Sequence, residues 1–166
     1  MKKLIALVAA LFAAVTLTAP PATALPAWTD TASSWTNPAA KDPRVVDLRY
    51  AQHPRFDRVV IDIRGRIPGG HARYAKRFFY DASGSPVPIR GGLGVVLMPA
   101  RAHTLSGANL YAGPRLARPG FPTLKAIAFT GDFEGTVSFA FGLSYHAPYR
   151  VFFLHDPQRI VIDFKH

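Results

Sequence analysis

The sequence predicts an all-β fold, an antiparallel β-sandwich of two related sheets. Runs rich in Val, Ile, Phe and Tyr recur from Arg44 onward, separated by clusters of Gly, Pro, Asp and Ser. From Arg44 onward, no stretch of helical length keeps the i, i+3, i+4, i+7 apolar spacing without a Gly or a Pro. Several connections are very short, and only antiparallel neighbours can be joined so closely.

The individual strands follow from these runs. Strands are expected near residues 44–52, 57–66, 71–80, 93–100, 124–132, 136–144, 149–155 and 159–165, with a short further strand near 86–89. Turn-forming residues at 132–135 and 155–158 predict two hairpins. Residues 101–122 are the least regular and predict a long loop with little fixed structure.

The N-terminus has the pattern of an export signal. Lys2 and Lys3 precede an apolar run from Leu4 to Val15, and residues 22–24 (Ala-Thr-Ala) have the small-x-small form of a cleavage site. The run is shorter than the roughly 20 residues of a membrane-spanning helix. We therefore predict a signal peptide over residues 1–24. A Pro- and Ala-rich flexible tether over 25–43 and one β-domain over 44–166 follow it.

The charge and the cysteine count restrict the partners. A formal net charge of +10 favours anionic partners. For an exported protein, anionic lipid and acidic cell-wall polymers are more accessible than nucleic acid, so no nucleic acid is expected. The chain has no cysteine, which excludes disulfides and thiolate metal sites.

One seven-residue pattern occurs twice. Residues 58–64 (Arg-Val-Val-Ile-Asp-Ile-Arg) reappear as residues 159–165 (Arg-Ile-Val-Ile-Asp-Phe-Lys). Because side chains alternate along a strand, each copy has one apolar face and one charged face. The charged faces carry Arg58, Asp62 and Arg64 in the first copy, and Arg159, Asp163 and Lys165 in the second.

Two interpretations of the charged faces remain open. In the first, Asp and the basic residues form ordinary ion pairs between strands, each contributing roughly 0.2–1 kcal/mol when exposed. In the second, the six residues form a polar platform that binds a ligand, because Arg recognises carboxylates and Asp accepts from sugar hydroxyls or amides.

The repeated motif also carries a family resemblance. Residues 53–60 (His-Pro-Arg-Phe-Asp-Arg-Val-Val), residues 131–135 (Gly-Asp-Phe-Glu-Gly) and the terminal Pro-Gln-Arg-Ile-Val-Ile-Asp resemble the actinobacterial AMIN-like relatives of the amidase N-terminal domain. The resemblance covers about residues 44–166. It implies a β-sandwich of two related sheets with a targeting or peptidoglycan-binding role and no catalysis. Such modules usually accompany an amidase or secretion-pore domain, which the sequence given has no room for.

Sequence patterns of catalysis are scarce. The six histidines show no metal-binding spacing, and there is no Gly-x-Ser-x-Gly motif. Asp62 and Asp163 each have basic neighbours, which oppose the raised pKa of a general acid. We therefore expect that the protein is not an enzyme and that it binds no metal and no cofactor.

Two groups combine aromatic and cationic side chains, as glycan-binding and nucleic-acid-binding surfaces do. The first group occupies one face of the predicted strand 71–80 and consists of Tyr74, Lys76, Phe78 and Tyr80. The second group lies near a turn at residues 145–150 and contains two tyrosines, a histidine and an arginine. Sandwich cores and rims contain such groups equally.

Together these features predict an exported, non-catalytic cell-envelope module. Its expected partner is peptidoglycan or another anionic wall polymer, with an envelope protein as a further candidate. A closed β-barrel that binds a small apolar ligand is the second interpretation and requires a large internal cavity. A small secreted hydrolase is the third, and it requires a cleft in which His and Asp converge.

Overall fold

The computed structural model describes residues 24–166, which form two antiparallel β-sheets packed face to face. The strands are β1 (Ser33–Trp35), β2 (Arg44–His53), β3 (Phe56–Arg64), β4 (Gly69–Ala75), β5 (Gly92–Met98), β6 (Leu116–Ala117), β7 (Leu124–Phe133), β8 (Thr136–Leu143), β9 (Tyr149–Leu154) and β10 (Arg159–Lys165). In this part of the chain no helix has the length and apolar character needed to cross a membrane. Residues 1–23, and with them nearly all of the predicted signal peptide, lie outside the described residues.

The two sheets are open and unequal. The small sheet has the order β2-β3-β10-β9, and the large sheet has the order β1-β4-β5-β8-β7-β6. The predicted all-β sandwich is therefore confirmed. The closed-barrel alternative is wrong, because each sheet ends in two edge strands instead of closing on itself.

Alternation along the strands builds the core between the sheets. In β3 the inward side chains Val59, Ile61 and Ile63 are buried, while their neighbours are partly or fully exposed. They pack in one cluster with buried Leu and Phe side chains of the large sheet, among them Leu93 and Phe141. Burial of a large apolar side chain contributes about 1.5–3 kcal/mol, so this shared cluster is what joins the sheets.

The hairpin between β7 and β8 follows from its turn residues. Glu134 and Gly135 connect the two strands, and both have positive φ angles, 47° and 74°. Two successive residues with positive φ give the turn whose twist matches that of the flanking strands. The hairpin predicted at residues 132–135 is present, but its connection has two residues and not the expected four, whereas the hairpin at 155–158 joins β9 and β10 as predicted.

A second, smaller apolar layer covers the outer face of the large sheet. Residues 76–91 leave β4 and cross that face, where Val87, Ile89, Phe78 and Tyr80 pack on small outward side chains, namely Ala126, Ala128 and Ala140. Gly142 belongs to the same surface, because a Cβ there would lie 2.7 Å from the Ile89 side chain. The strand predicted over 71–80 consequently ends at Ala75, and of residues 86–89 only Pro86 is paired, in an isolated bridge to Phe79.

The segment 25–43, expected to be a flexible tether, lies against the sandwich. It contributes β1, which pairs with β4, and Thr29 bridges to Tyr149. The Trp35 indole donates a hydrogen bond to the Pro68 carbonyl over 3.0 Å. The loop predicted at 101–122 likewise contains the short strand β6, which pairs with β7.

A buried carboxylate connects the two sheets near the start of β3. The Asp57 side chain is fully buried and accepts hydrogen bonds from the backbone N–H groups of Thr123 and Leu124, both over 2.8 Å. Its other oxygen is 2.9 Å from the His166 ring. Asp57 thereby holds the start of β7 in the large sheet against β3 in the small sheet.

Replacing Asp57 by Ala should lower the free energy of unfolding by about 2–4 kcal/mol, because two backbone donors lose a buried acceptor. Urea unfolding followed by tryptophan fluorescence measures this change. The exposed Asp30 makes no side-chain hydrogen bond among the described residues, so Asp30→Ala serves as control and should stay within about 0.5 kcal/mol. Equal losses in the two variants would contradict the assigned role of Asp57.

Candidate functional site

The two copies of the repeated motif lie side by side. They form β3 and β10, which are antiparallel neighbours at the centre of the small sheet. The register places Arg159 opposite Asp62 and Asp163 opposite Arg58, with Val60 opposite Val161 between them. Each copy therefore presents its Asp to the first basic residue of the other, which gives the pair a local two-fold arrangement.

Asp163 is the centre of a buried ion-pair cluster. Arg58 donates to its two oxygens over 2.6 and 2.9 Å. Arg150 of β9 donates from Nε to Asp163 Oδ2 over 2.8 Å, and its Nη2 lies 2.7 Å from the same oxygen. The Asp163 side chain is 0% exposed. The expectation of an open charged face is wrong at this position, because the two guanidinium groups and their aromatic neighbours cover the carboxylate.

Aromatic rings enclose this cluster on the outer side of the small sheet. The Arg58 guanidinium lies 4.9 Å from the Phe56 ring centre and 5.3 Å from that of Phe152. The Arg150 guanidinium lies 4.3 Å from the ring of Trp28, which arrives from the N-terminal segment. Cation–π contacts of this kind contribute about 0.5–2 kcal/mol each, more where water is excluded. These contacts further indicate that the Asp163 cluster has a structural role.

Asp62 has a more open environment than its counterpart. Arg49 of β2 binds it with two hydrogen bonds of 2.7 Å, and the Arg49 side chain is 58% exposed. The hydrogen bonds that Arg49 donates to the Asp62 carboxylate raise the pKa of Arg49, so this arginine stays charged. Arg159, although opposite Asp62, donates from Nε to the Pro157 carbonyl over 3.1 Å.

The six predicted binding residues therefore divide into two groups. Arg58, Asp62 and Asp163 are engaged in ion pairs within the protein. Arg64, Arg159 and Lys165 have no ion pair among the described residues. Arg64 ends β3 and Lys165 ends β10, and because these strands are antiparallel, the two cations lie at opposite ends of the sheet. Together with Arg159 they form a strip along the small sheet. This small-sheet strip is too long to be the single compact platform that the sequence predicted.

A separate cleft contains a His–Asp pair that the sequence pattern did not indicate. His103 Nδ1 lies 2.6 Å from Asp132 Oδ2, and both line a cleft of about 510 Å³ together with Arg115 and Asp81. The two residues are far apart in sequence, and His103 lies in the loop that was expected to be irregular. Within residues 24–166 His103 makes no side-chain hydrogen bond to a hydroxyl, and no group of three His, Asp or Glu side chains could hold a metal ion.

The sandwich has a match among known domain families. The model of the AMIN-like domain family matches residues 43–166, which covers every strand of the sandwich except β1. The chain belongs to the AMIN-like domain family. AMIN-like domains are in general non-catalytic modules associated with peptidoglycan, and AMIN domains occur in extracytoplasmic proteins. Comparison with the curated proteins and with solved structures gives no significant match.

In this AMIN-like domain the two copies of the motif should differ in their effect on stability. Asp163→Ala leaves two partly buried arginines without their carboxylate and should cost about 3–5 kcal/mol of unfolding free energy. The matched change Asp62→Ala removes an exposed pair and should cost less than about 1 kcal/mol. Urea denaturation of both variants measures the difference. Similar losses would show that the buried cluster does not support the small sheet.

Proposed function

We propose that this chain is an exported, non-catalytic cell-envelope module that binds peptidoglycan or another anionic wall polymer. Membership of the AMIN-like family supports the association with the cell wall. The distribution of charge in the folded domain supports the anionic character of the ligand.

The single observation behind the choice of ligand is a surplus of unpaired cations. Eighteen of the twenty Lys and Arg residues lie in the part of the chain that the structure describes. Five of them, at positions 44, 49, 58, 101 and 150, form ion pairs with carboxylates, which leaves thirteen without one. A surface of this kind attracts a polyanion and presents many donors to it.

The contacts with the ligand are assigned to the outer strip of the small sheet. Arg64 and Lys165 are exposed, and Arg159 is partly exposed. Their donors are available to carboxylates or phosphates, whereas Arg58 and Asp163 hold the strands that carry them. Asp62, already bound by Arg49, keeps a side-chain exposure of 19% and serves at the margin of the strip as an acceptor for sugar hydroxyls.

Reversing both end charges, with Arg64→Glu and Lys165→Glu together, should weaken co-sedimentation with purified cell wall by about tenfold, because two charge-assisted contacts become repulsive. The matched control is the double variant Arg73→Glu and Arg77→Glu, which has the same net charge and alters two exposed cations that have no ion pair among the described residues. The control should bind more tightly than the test variant. Identical weakening would show that only net charge matters, and undiminished binding of the test variant would remove the strip from the proposal.

A hydrolase is the second candidate, because His103 and Asp132 converge in a cleft. A carboxylate-oriented imidazole can act as a general base on water. AMIN-like domains are in general non-catalytic, which makes the hydrolase the less favoured candidate. We expect no soluble fragments to be released from purified wall by the intact protein. Release that is abolished by His103→Ala would establish the hydrolase instead.

A further inference from the structure

A basic groove runs along one end of the large sheet. The ends of four adjacent strands meet there, since the register aligns Ala75 of β4 with Gly92 of β5, Gly92 with Gly142 of β8, and Leu143 of β8 with Leu124 of β7. Two clefts, of about 460 and 450 Å³, lie along these strand ends. They share Arg90 and Leu143 in their walls, so they form one continuous feature.

The charge of the groove is uniformly positive. Lys76 and Arg90 line the first cleft, and Arg90, Arg118 and Lys125 line the second. All four side chains belong to exposed residues, and none forms an ion pair among residues 24–166. No described residue that lines either cleft is acidic. The groove therefore concentrates positive charge without an internal counter-charge, which favours an anionic ligand.

Two of the cations are held in position by the backbone. Arg118 Nη2 donates to the Pro88 carbonyl over 2.9 Å, and Lys125 Nζ donates to the Phe121 carbonyl over 2.6 Å. Each of these contacts uses one donor, while a guanidinium has five N–H donors and an ammonium has three. The remaining donors are available to a ligand, from side chains that are already partly ordered.

One end of the groove is aromatic. Tyr145 is 49% exposed, and its hydroxyl donates to the Lys165 carbonyl over 2.9 Å, which fixes the ring at the rim of the first cleft. Beside it the Tyr74 and His146 rings are stacked with their centres 3.7 Å apart. Burial raises the pKa of Tyr74, so its hydroxyl stays protonated and donates to the Ala147 carbonyl. An exposed ring next to cations can stack on a sugar of an oligosaccharide while the cations bind an acidic group of the same oligosaccharide.

We propose that this groove, defined by Lys76, Arg90, Arg118, Lys125 and Tyr145, is a second binding site, for an acidic glycan whose sugar rings carry carboxylate or phosphate groups. It lies on the large sheet, and its cations are distinct from those of the small-sheet strip, which Tyr145 contacts only through the backbone carbonyl of Lys165. The choice of a glycan over another polyanion rests on the proposed wall-binding function, whereas the existence of an anion site does not.

The test uses the intact chain and soluble probes. Binding of a tetrasaccharide of alternating glucuronate and N-acetylglucosamine is followed by amide shifts in nuclear magnetic resonance, with the neutral N-acetylglucosamine tetrasaccharide and inorganic phosphate as comparisons. We expect the acidic tetrasaccharide to bind and to shift amides around the groove. It should bind at least about tenfold more tightly than either comparison, because it alone offers both charge and ring contacts.

Matched variants locate the site. Lys76→Gln with Arg90→Gln should weaken binding of the acidic tetrasaccharide by about tenfold, while Arg73→Gln with Arg77→Gln should leave it unchanged. Tyr145→Ala should weaken binding several-fold, and Tyr145→Phe, which keeps the ring, should not. Urea unfolding of each variant verifies that the fold is retained.

Several results would overturn the inference. Equal binding of the neutral tetrasaccharide would remove the role of charge, and equal binding of inorganic phosphate would leave an anion site without glycan recognition. Loss of binding in the Arg73/Arg77 variant, or none in the Lys76/Arg90 variant, would place the ligand elsewhere. If the protein does not sediment with wall but binds the acidic tetrasaccharide in the groove, the proposed function fails while the groove site stands. If the protein sediments with wall but does not bind the acidic tetrasaccharide in the groove, the groove site fails while the proposed function stands.

Discussion

The ion pairs around Asp163 are the interaction on which the small sheet depends. One buried carboxylate connects three adjacent strands, because Asp163 lies on β10, Arg58 on β3 and Arg150 on β9. Transfer of an unpaired carboxylate into the protein interior is strongly unfavourable, so the cluster is stable only with both guanidinium groups in place. Trp28 packs on Arg150, and through this contact the cluster also holds the N-terminal segment against the domain.

The same cluster explains how one repeated motif has two roles. Register and alternation give both copies the same charged face, but aromatic rings cover Asp163 while Asp62 stays at the surface with Arg49. Whether the Asp of each copy is buried or exposed depends on the side chains that surround it and not on the motif itself. Two of the six predicted binding residues, Arg58 and Asp163, consequently serve the fold. The proposed ligand contacts then fall mainly to cations that no carboxylate neutralises, on the small-sheet strip and in the groove of the large sheet.

Much of the architecture could be predicted from the sequence because strand signals are local. Alternation and turn residues placed eight of the strands, from β2 through β10 without β6, and the β7–β8 hairpin. The strand at 71–80 was predicted too long because its apolar residues continue past Ala75, where they pack on the outer face of the large sheet instead of extending β4. β1 is three residues long and lies in a Pro- and Ala-rich segment, so its pairing with β4 has no local signal.

The candidate sites were less accessible to sequence reasoning, because they depend on contacts between distant segments. Trp28 and Phe152 cover the Asp163 cluster from opposite ends of the chain, and His103 meets Asp132 across a loop. In the groove, Lys76 and Tyr145 were recognised as members of cation–aromatic groups, but only the register of β4, β5, β8 and β7 brings those groups together.

The central claim is that surplus positive charge on this AMIN-like domain binds an anionic wall polymer. The salt dependence of binding to purified cell wall tests it most directly, with the unaltered protein and rising concentrations of sodium chloride. We expect the affinity to fall steeply as salt rises, because mobile ions screen exposed charges. Binding that is equally strong at low and high salt would contradict the claim, since it would show recognition through neutral or apolar contacts.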